Sequence, residues 1–159
     1  MRLSYIILLA ALLLCAACRP RTEFCNYQPV STEGWECTDT LRFEFMPLTA
    51  GNAYLASLGL RFTDMMPYQD LWLVLERRIV ERRDTFARRD TLHLPLGSDS
   101  GHWQVQGNVL HETDIPVDTF SLSDEQPVTF LVYHVMSRQS LPGITEVGLK
   151  VERIPQIRY

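Results

Sequence analysis

Apolar and polar residues alternate with a period of two along most of this chain. Leu41, Phe43 and Phe45 alternate with Thr40, Arg42 and Glu44, and Tyr54, Ala56, Leu58, Leu60 and Phe62 alternate with Ser57, Gly59 and Arg61. Successive side chains of a strand point to opposite faces, so the pattern predicts strands with one buried face. Leu71, Leu73 and Leu75, then Leu92, Leu94 and Leu96, and later Val147, Leu149 and Val151 continue it. Ile115, Val117 and Thr119, with Phe120 beside them, predict a shorter strand. Val128 to Val135 is apolar on both faces, as a central strand is.

Breaks fall between these runs at Met46-Pro47, Ala50-Gly51-Asn52, Met66-Pro67, Gly97 to Gly101, Ser123 to Pro127 and Pro142-Gly143. Seven to nine short strands with hardly any helical periodicity predict an all-β chain. The expected architecture is a single antiparallel β-sandwich of Ig-like or jelly-roll type. The stretch from Glu76 to Asp90 is the exception to clean alternation. It carries Arg77, Arg78, Arg82, Arg83, Arg88 and Arg89 among Glu76, Glu81, Asp84 and Asp90, a net charge of +2. A long charged hairpin fits best, with a short helix as the alternative. Such a hairpin is either simply solvated or touches anionic lipid headgroups or an acidic partner.

The first residues follow a different rule. Met1 and Arg2 precede an apolar run from Leu3 to Ala17, shorter than the roughly 20 residues that cross a bilayer. This is the layout of a secretory signal. Ala16, Ala17 and Cys18 complete a bacterial lipobox, in which the thiol takes a diacylglyceryl group before cleavage at its N-terminal side. Leu14 occupies the position that must be small if Cys15 were the acceptor, so Cys18 is the expected site. Residues 1–17 are then a signal peptide, 18–25 a lipidated tether and 26–159 the sandwich domain. Each buried acyl methylene contributes about 0.8 kcal/mol and stable anchoring takes more than one chain, which a triacylated cysteine supplies. Arg19 stands where an inner-membrane retention Asp would, and no acidic run follows. The expected location is therefore the outer membrane, facing the periplasm.

Export changes the reading of the cysteines and the charge. Cys25 and Cys37 enter an oxidising compartment, where a disulfide would close a loop of about a dozen residues and contribute about 3 kcal/mol. Two separate thiols are the alternative. Cleavage removes one base, Arg2, and no acid, taking the net charge from −4 to −5. An acidic chain is not a nucleic-acid binder's. Nor does it carry enzyme signatures. Gly97-Ser98-Asp99-Ser100-Gly101 resembles a nucleophile elbow but has Asp99 at the serine position. His93, His102, His111 and His134 are too scattered for a metal box, and no phosphate-binding glycine loop occurs. No catalytic residue, metal, cofactor or small-molecule substrate is expected. Trp35, Trp72 and Trp103 could stack on sugars, although the area a tryptophan buries favours the core for at least two of them.

Several stretches, in order, resemble the GldH family of gliding-motility lipoproteins of Bacteroidota. They begin at Cys18 and continue with Asn26-Tyr27, Gly34-Trp35 and Asp39 through Phe45. Leu58-Gly59-Leu60-Arg61, Met66 through Leu71, Asp90-Thr91-Leu92, Leu94-Pro95-Leu96, Gly101, Trp103 and Gly107 follow. The most specific element is Met136, Arg138 and Leu141 through Leu149. Met65-Met66, a long Arg-rich hairpin, and Cys25 with Cys37 depart from the family pattern. The resemblance implies a non-catalytic envelope lipoprotein serving gliding and its associated secretion machinery, with envelope proteins of that apparatus as partners. Within the specific element, Met136, Arg138, Leu141, Pro142, Gly143 and Ile144 form either a well-made hairpin connection or an exposed partner-binding loop. The runner-up is a lipid-anchored glycan- or peptidoglycan-binding module.

Overall fold

Alternation is clearest in the strand that becomes the middle of one sheet. In Asn52–Thr63 (β4), Tyr54, Ala56, Leu58, Leu60 and Phe62 are all buried, and each points to the same side. The computed structural model describes residues 22–48, 51–81, 84–98, 102–103, 109–123 and 125–154. The signal peptide 1–17 and Cys18 lie outside these residues.

Ten strands and no helix occur among the described residues: β1 (Thr22–Pro29), β2 (Trp35–Glu36), β3 (Leu41–Phe45), β4, β5 (Asp70–Glu81), β6 (Asp84–Pro95), β7 (Leu110–Leu122), β8 (Val128–His134), β9 (Ser140–Leu141) and β10 (Ile144–Ile154). One four-stranded antiparallel sheet has the order β1-β10-β4-β7 and the other β3-β8-β5-β6. The two-residue strands β2 and β9 pair only with each other. They carry the total past the seven to nine expected, because two-residue ladders leave no periodic trace. The eight longer strands make the antiparallel sandwich that the alternation predicts.

The inner faces of both sheets feed one core, from Phe43, Phe45 and Leu71 on one side to Leu58, Val147 and Leu149 on the other. Burying such a side chain contributes about 1.5–3 kcal/mol. The β8 run sits between β3 and β5, a central position that suits its apolar character. Glu76 to Asp90 lies within the β5–β6 hairpin, paired from Asp70↔Pro95 to Glu81↔Asp84, so the helix alternative does not hold.

Two boundaries differ from expectation. Thr22–Cys25, read as tether, already belong to β1 and pair with Glu152, Val151 and Lys150. Edge strand β1 buries little, so it lacks a clean period. In β7 the ladder runs Ala56↔Asp118 and then Ser57↔Pro116, leaving Val117 as an extra residue. This bulge reverses the inward face. His111 points inward before it, and Asp118, Phe120 and Leu122 after it, while Thr119 is exposed. Pro116 is tolerated because β7 is an edge strand.

Candidate partner-binding surface

The connection from β8 to β10 is tied to its surroundings at nearly every residue. Val135 N–H donates to Trp72 O at 3.0 Å. Trp72 N–H meets Met136 Sδ at 3.3 Å, and Cys37 N–H donates to Gln139 O at 2.7 Å. Leu141 pairs with Trp35 and is fully buried, as is Ile144. Thr63 N–H donates to Gly143 O at 2.8 Å. Gly143 has φ +88°, and a Cβ there would collide with the Met66 backbone. Of the six residues of the expected loop, Leu141 and Ile144 are therefore core, Met136, Pro142 and Gly143 are half-buried, and Arg138 is exposed. Beneath this connection Trp35 and His134 meet edge to face at 5.3 Å, and His134 Nε2 lies 2.9 Å from Trp35 O. Burial lowers the His134 pKa from its ordinary value.

Cys25 and Cys37 are both free and exposed. Of the two readings left open, a bridge or separate thiols, the structure has separate thiols: β1 carries Cys25 beside Lys150, while Cys37 sits in the turn after β2, held to Gln139.

The outer face of the β3-β8-β5-β6 sheet carries the exposed aromatic. Trp72, 44% exposed, stacks on His93 at 4.5 Å, and His93 Nε2 reaches Asp70 Oδ1 at 2.6 Å. Further along, Glu76 is buried and accepts from Arg78 Nε at 2.5 Å and Arg89 Nη2 at 2.8 Å. Hydrogen bonds from Arg89 and then Arg78 hold its carboxyl below the usual range. On the inner face, Arg77 pairs with Asp118 across the gap between sheets, with its guanidinium 4.9 Å from the Phe120 ring centroid. Arg88 donates to Asp90 at 2.7 Å. Glu76, Arg78, Arg88, Arg89 and Asp90 of the hairpin thus pair among themselves, while Arg77 reaches across to the other sheet.

On the opposite outer face Tyr27 lies flat over Gly59 and Gly148, where added Cβ atoms would meet its ring. Arg61 stands 4.2 Å over that ring and pairs with Glu146 at 2.7 Å. Burial first, and the nearby Glu112 second, push the Tyr27 phenol up to about 12. Sequence reasoning missed this arrangement. Its trace was the pair of glycines in adjacent strands, which leaves room for one ring.

At one end, Asp64 accepts from Trp103 Nε1 at 2.9 Å and lies 2.7 Å from His111 Nε2. These bonds, His111 first, hold the Asp64 carboxyl below its ordinary value. The other His111 ring nitrogen, Nδ1, is buried without a hydrogen-bond partner among the described residues. No cluster of three metal-ligating side chains occurs among the described residues. Trp35 is core, and Trp103, half-buried, packs against that core, so one tryptophan and not two is core.

Two antiparallel sheets around one core, with their polar groups tied into surface networks, define a β-sandwich module. A family model described as GldH lipoprotein matches residues 22–151, and the chain belongs to that family. No curated protein matches the chain. Among solved structures, an infectious bursal disease virus VP2 subviral particle is similar at 12% identity and a TM-score of 0.38. That likeness covers 84% of this chain and 32% of the viral one. Desmodium yellow mottle tymovirus is similar at 7% identity and a TM-score of 0.28, covering 90% and 93%. The chain spans about a third of the length of the VP2 chain it resembles.

Proposed function

We infer that the protein is a non-catalytic, lipid-anchored part of the cell envelope, accessory to gliding motility and the protein-secretion machinery tied to it. The observation that carries this reading is the family match over residues 22–151, directly downstream of the lipobox cysteine Cys18. The anchor is the acylated Cys18, in the outer membrane with the sandwich facing the periplasm. The partners are other envelope proteins of that apparatus. On the β8–β10 connection the contact offered to a partner is the exposed Arg138, while Leu141 and Ile144 are buried.

Replacing Cys18 tests the anchor. Cys18→Ala is expected to move the protein from the membrane fraction to the soluble fraction of lysed cells; unchanged membrane association refutes it. Affinity purification of the wild-type protein from native envelope tests the role. Recovery of motility, secretion or outer-membrane assembly components is the expected result, and their absence counts against it.

The exposed Trp72 ring favours one second reading, a lipid-anchored glycan- or peptidoglycan-binding module. Its fluorescence would shift on adding peptidoglycan fragments, and Trp72→Ala would abolish binding.

A further inference from the structure

The start of β1 and the far end of the charged hairpin lie at the same end of the sandwich. Thr22, at the start of β1, pairs with Glu152, and Glu152 with Leu55. Asn52, at the start of β4, pairs with Leu122 at the end of β7. Leu122 and Ser123 line a cavity of ≈ 160 Å³ together with Ile79 and Phe86 of the hairpin. Ile79 pairs with Val128, and Val128 with Phe45 at the end of β3. The start of β1, the end of β3 and the far end of the β5–β6 hairpin therefore share one pole.

That pole exposes four large apolar side chains, Met46 at 58%, Leu48 at 73%, Val80 at 50% and Phe86 at 58%; five others, Met65, Trp72, Val109, Leu110 and Val135, are exposed at the opposite pole, so it is the tether that singles this one out. Leu48 N–H donates to Glu23 Oε2 at 3.3 Å, which fixes the Met46–Leu48 turn beside the residues leading to Cys18. Beyond Ile79↔Val128 the hairpin continues for two more residue pairs without β8, projecting about 7 Å further. Only three residues separate Cys18 from Thr22, so the acylated cysteine lies within about 14 Å of the strand's start.

We propose that this pole is a membrane-contacting surface, on which Met46, Leu48, Val80 and Phe86 rest in the interfacial layer of the bilayer that holds the Cys18 lipid. The proposal depends on the anchor reading above. Its second support is the short covalent reach, which brings this pole and no other to the headgroups. The occupant is a lipid surface, and apolar insertion holds it. Of the arginines among the described hairpin residues, Arg78 and Arg89 are committed to Glu76, and Arg88 to Asp90. Side chains of this kind settle about 5–10 Å into the boundary between headgroups and acyl chains.

The test uses the full lipidated protein purified from membranes and reconstituted into vesicles of phosphatidylethanolamine and phosphatidylglycerol with brominated acyl chains. Leu48→Trp and Phe86→Trp report on this pole. Met65→Trp, equally exposed after the end of β4, reports on the opposite one. The expected result is a blue shift and bromine quenching of the added emission at 48 and 86, with neither at 65. Vesicles that carry the protein on flotation but leave position 48 or 86 unquenched overturn the proposal while the anchor stands. Quenching at all three positions also overturns it, because the domain then lies on its side. A protein that fails to float with the vesicles overturns the anchor and the proposal with it.

Discussion

Gly143 shows how a single residue fixes the β9–β10 turn. Its φ of +88° costs an L-residue about 1–2 kcal/mol, and a Cβ there would meet the Met66 backbone, which has no flexible end to move aside. Gly143→Ala is expected to destabilise the fold by about 2 kcal/mol or more, measured by chemical denaturation. Gly51→Ala separates the two contributions. Gly51 has φ +73° with nothing within 4 Å of a Cβ, so about 1 kcal/mol is expected there. A Gly143 variant no worse than the Gly51 variant would mean that the close approach to Met66 contributes nothing. The Pro-Gly dipeptide was legible as a turn. That Leu141 and Ile144 around it are core was not, because their partners, Trp35 on β2 and Phe62 on β4, are remote in sequence.

At the scale of elements, the long β5–β6 hairpin depends on two acids, Glu76 on β5 and Asp118 on β7, that the sequence presents as ordinary surface charges. Asp118 and Arg77 face each other between the sheets, both largely buried. Removing one partner of such a pair strands the other, so Asp118→Ala is expected to cost about 3 kcal/mol in denaturation. Asp118→Ala combined with Arg77→Met should recover most of that loss, and failure to recover would show that the charges are not the cause. Glu76 makes a pH prediction. Its folded pKa is held below the ordinary 4.5, so the stability it contributes is fully present above that value. That stability is lost as pH falls below it. Glu76→Gln is expected to flatten this part of the stability-against-pH curve. The hairpin itself was legible from alternation and turn spacing. The Asp118 pairing was not, because the bulge at Val117 turns Asp118 inward against the parity set by Ile115. A period-two reading carries no sign of a skipped residue.

At the scale of the whole molecule, the question is whether the lipid merely retains the sandwich or also orients it. The two roles differ in their dependence on tether length. If Cys18 carries the lipid, the three residues between it and Thr22 leave the pole carrying Leu48 and Phe86 little freedom to move away from the bilayer. A flexible insert of about 20 Gly and Ser residues after Arg19 would add a root-mean-square reach of about 25 Å, enough to let the sandwich turn over. The acylated cysteine and its neighbours would be unchanged, so flotation with membranes should be fully retained. Quenching at Leu48→Trp and Phe86→Trp should fall sharply if the tether does the orienting, because four exposed side chains then have to find the surface unaided. If quenching persists with the long tether, the apolar pole holds the membrane by its own affinity and the lipid only brings it near. In that case Leu48→Asp with Phe86→Asp should abolish the contact even on the short tether. The β1 edge explains why this arrangement is built so close to the lipid. By pairing from Thr22 onward, β1 takes up chain that alternation alone leaves as tether, so that under the proposed anchor only three residues lie between the lipidated cysteine and the sheet.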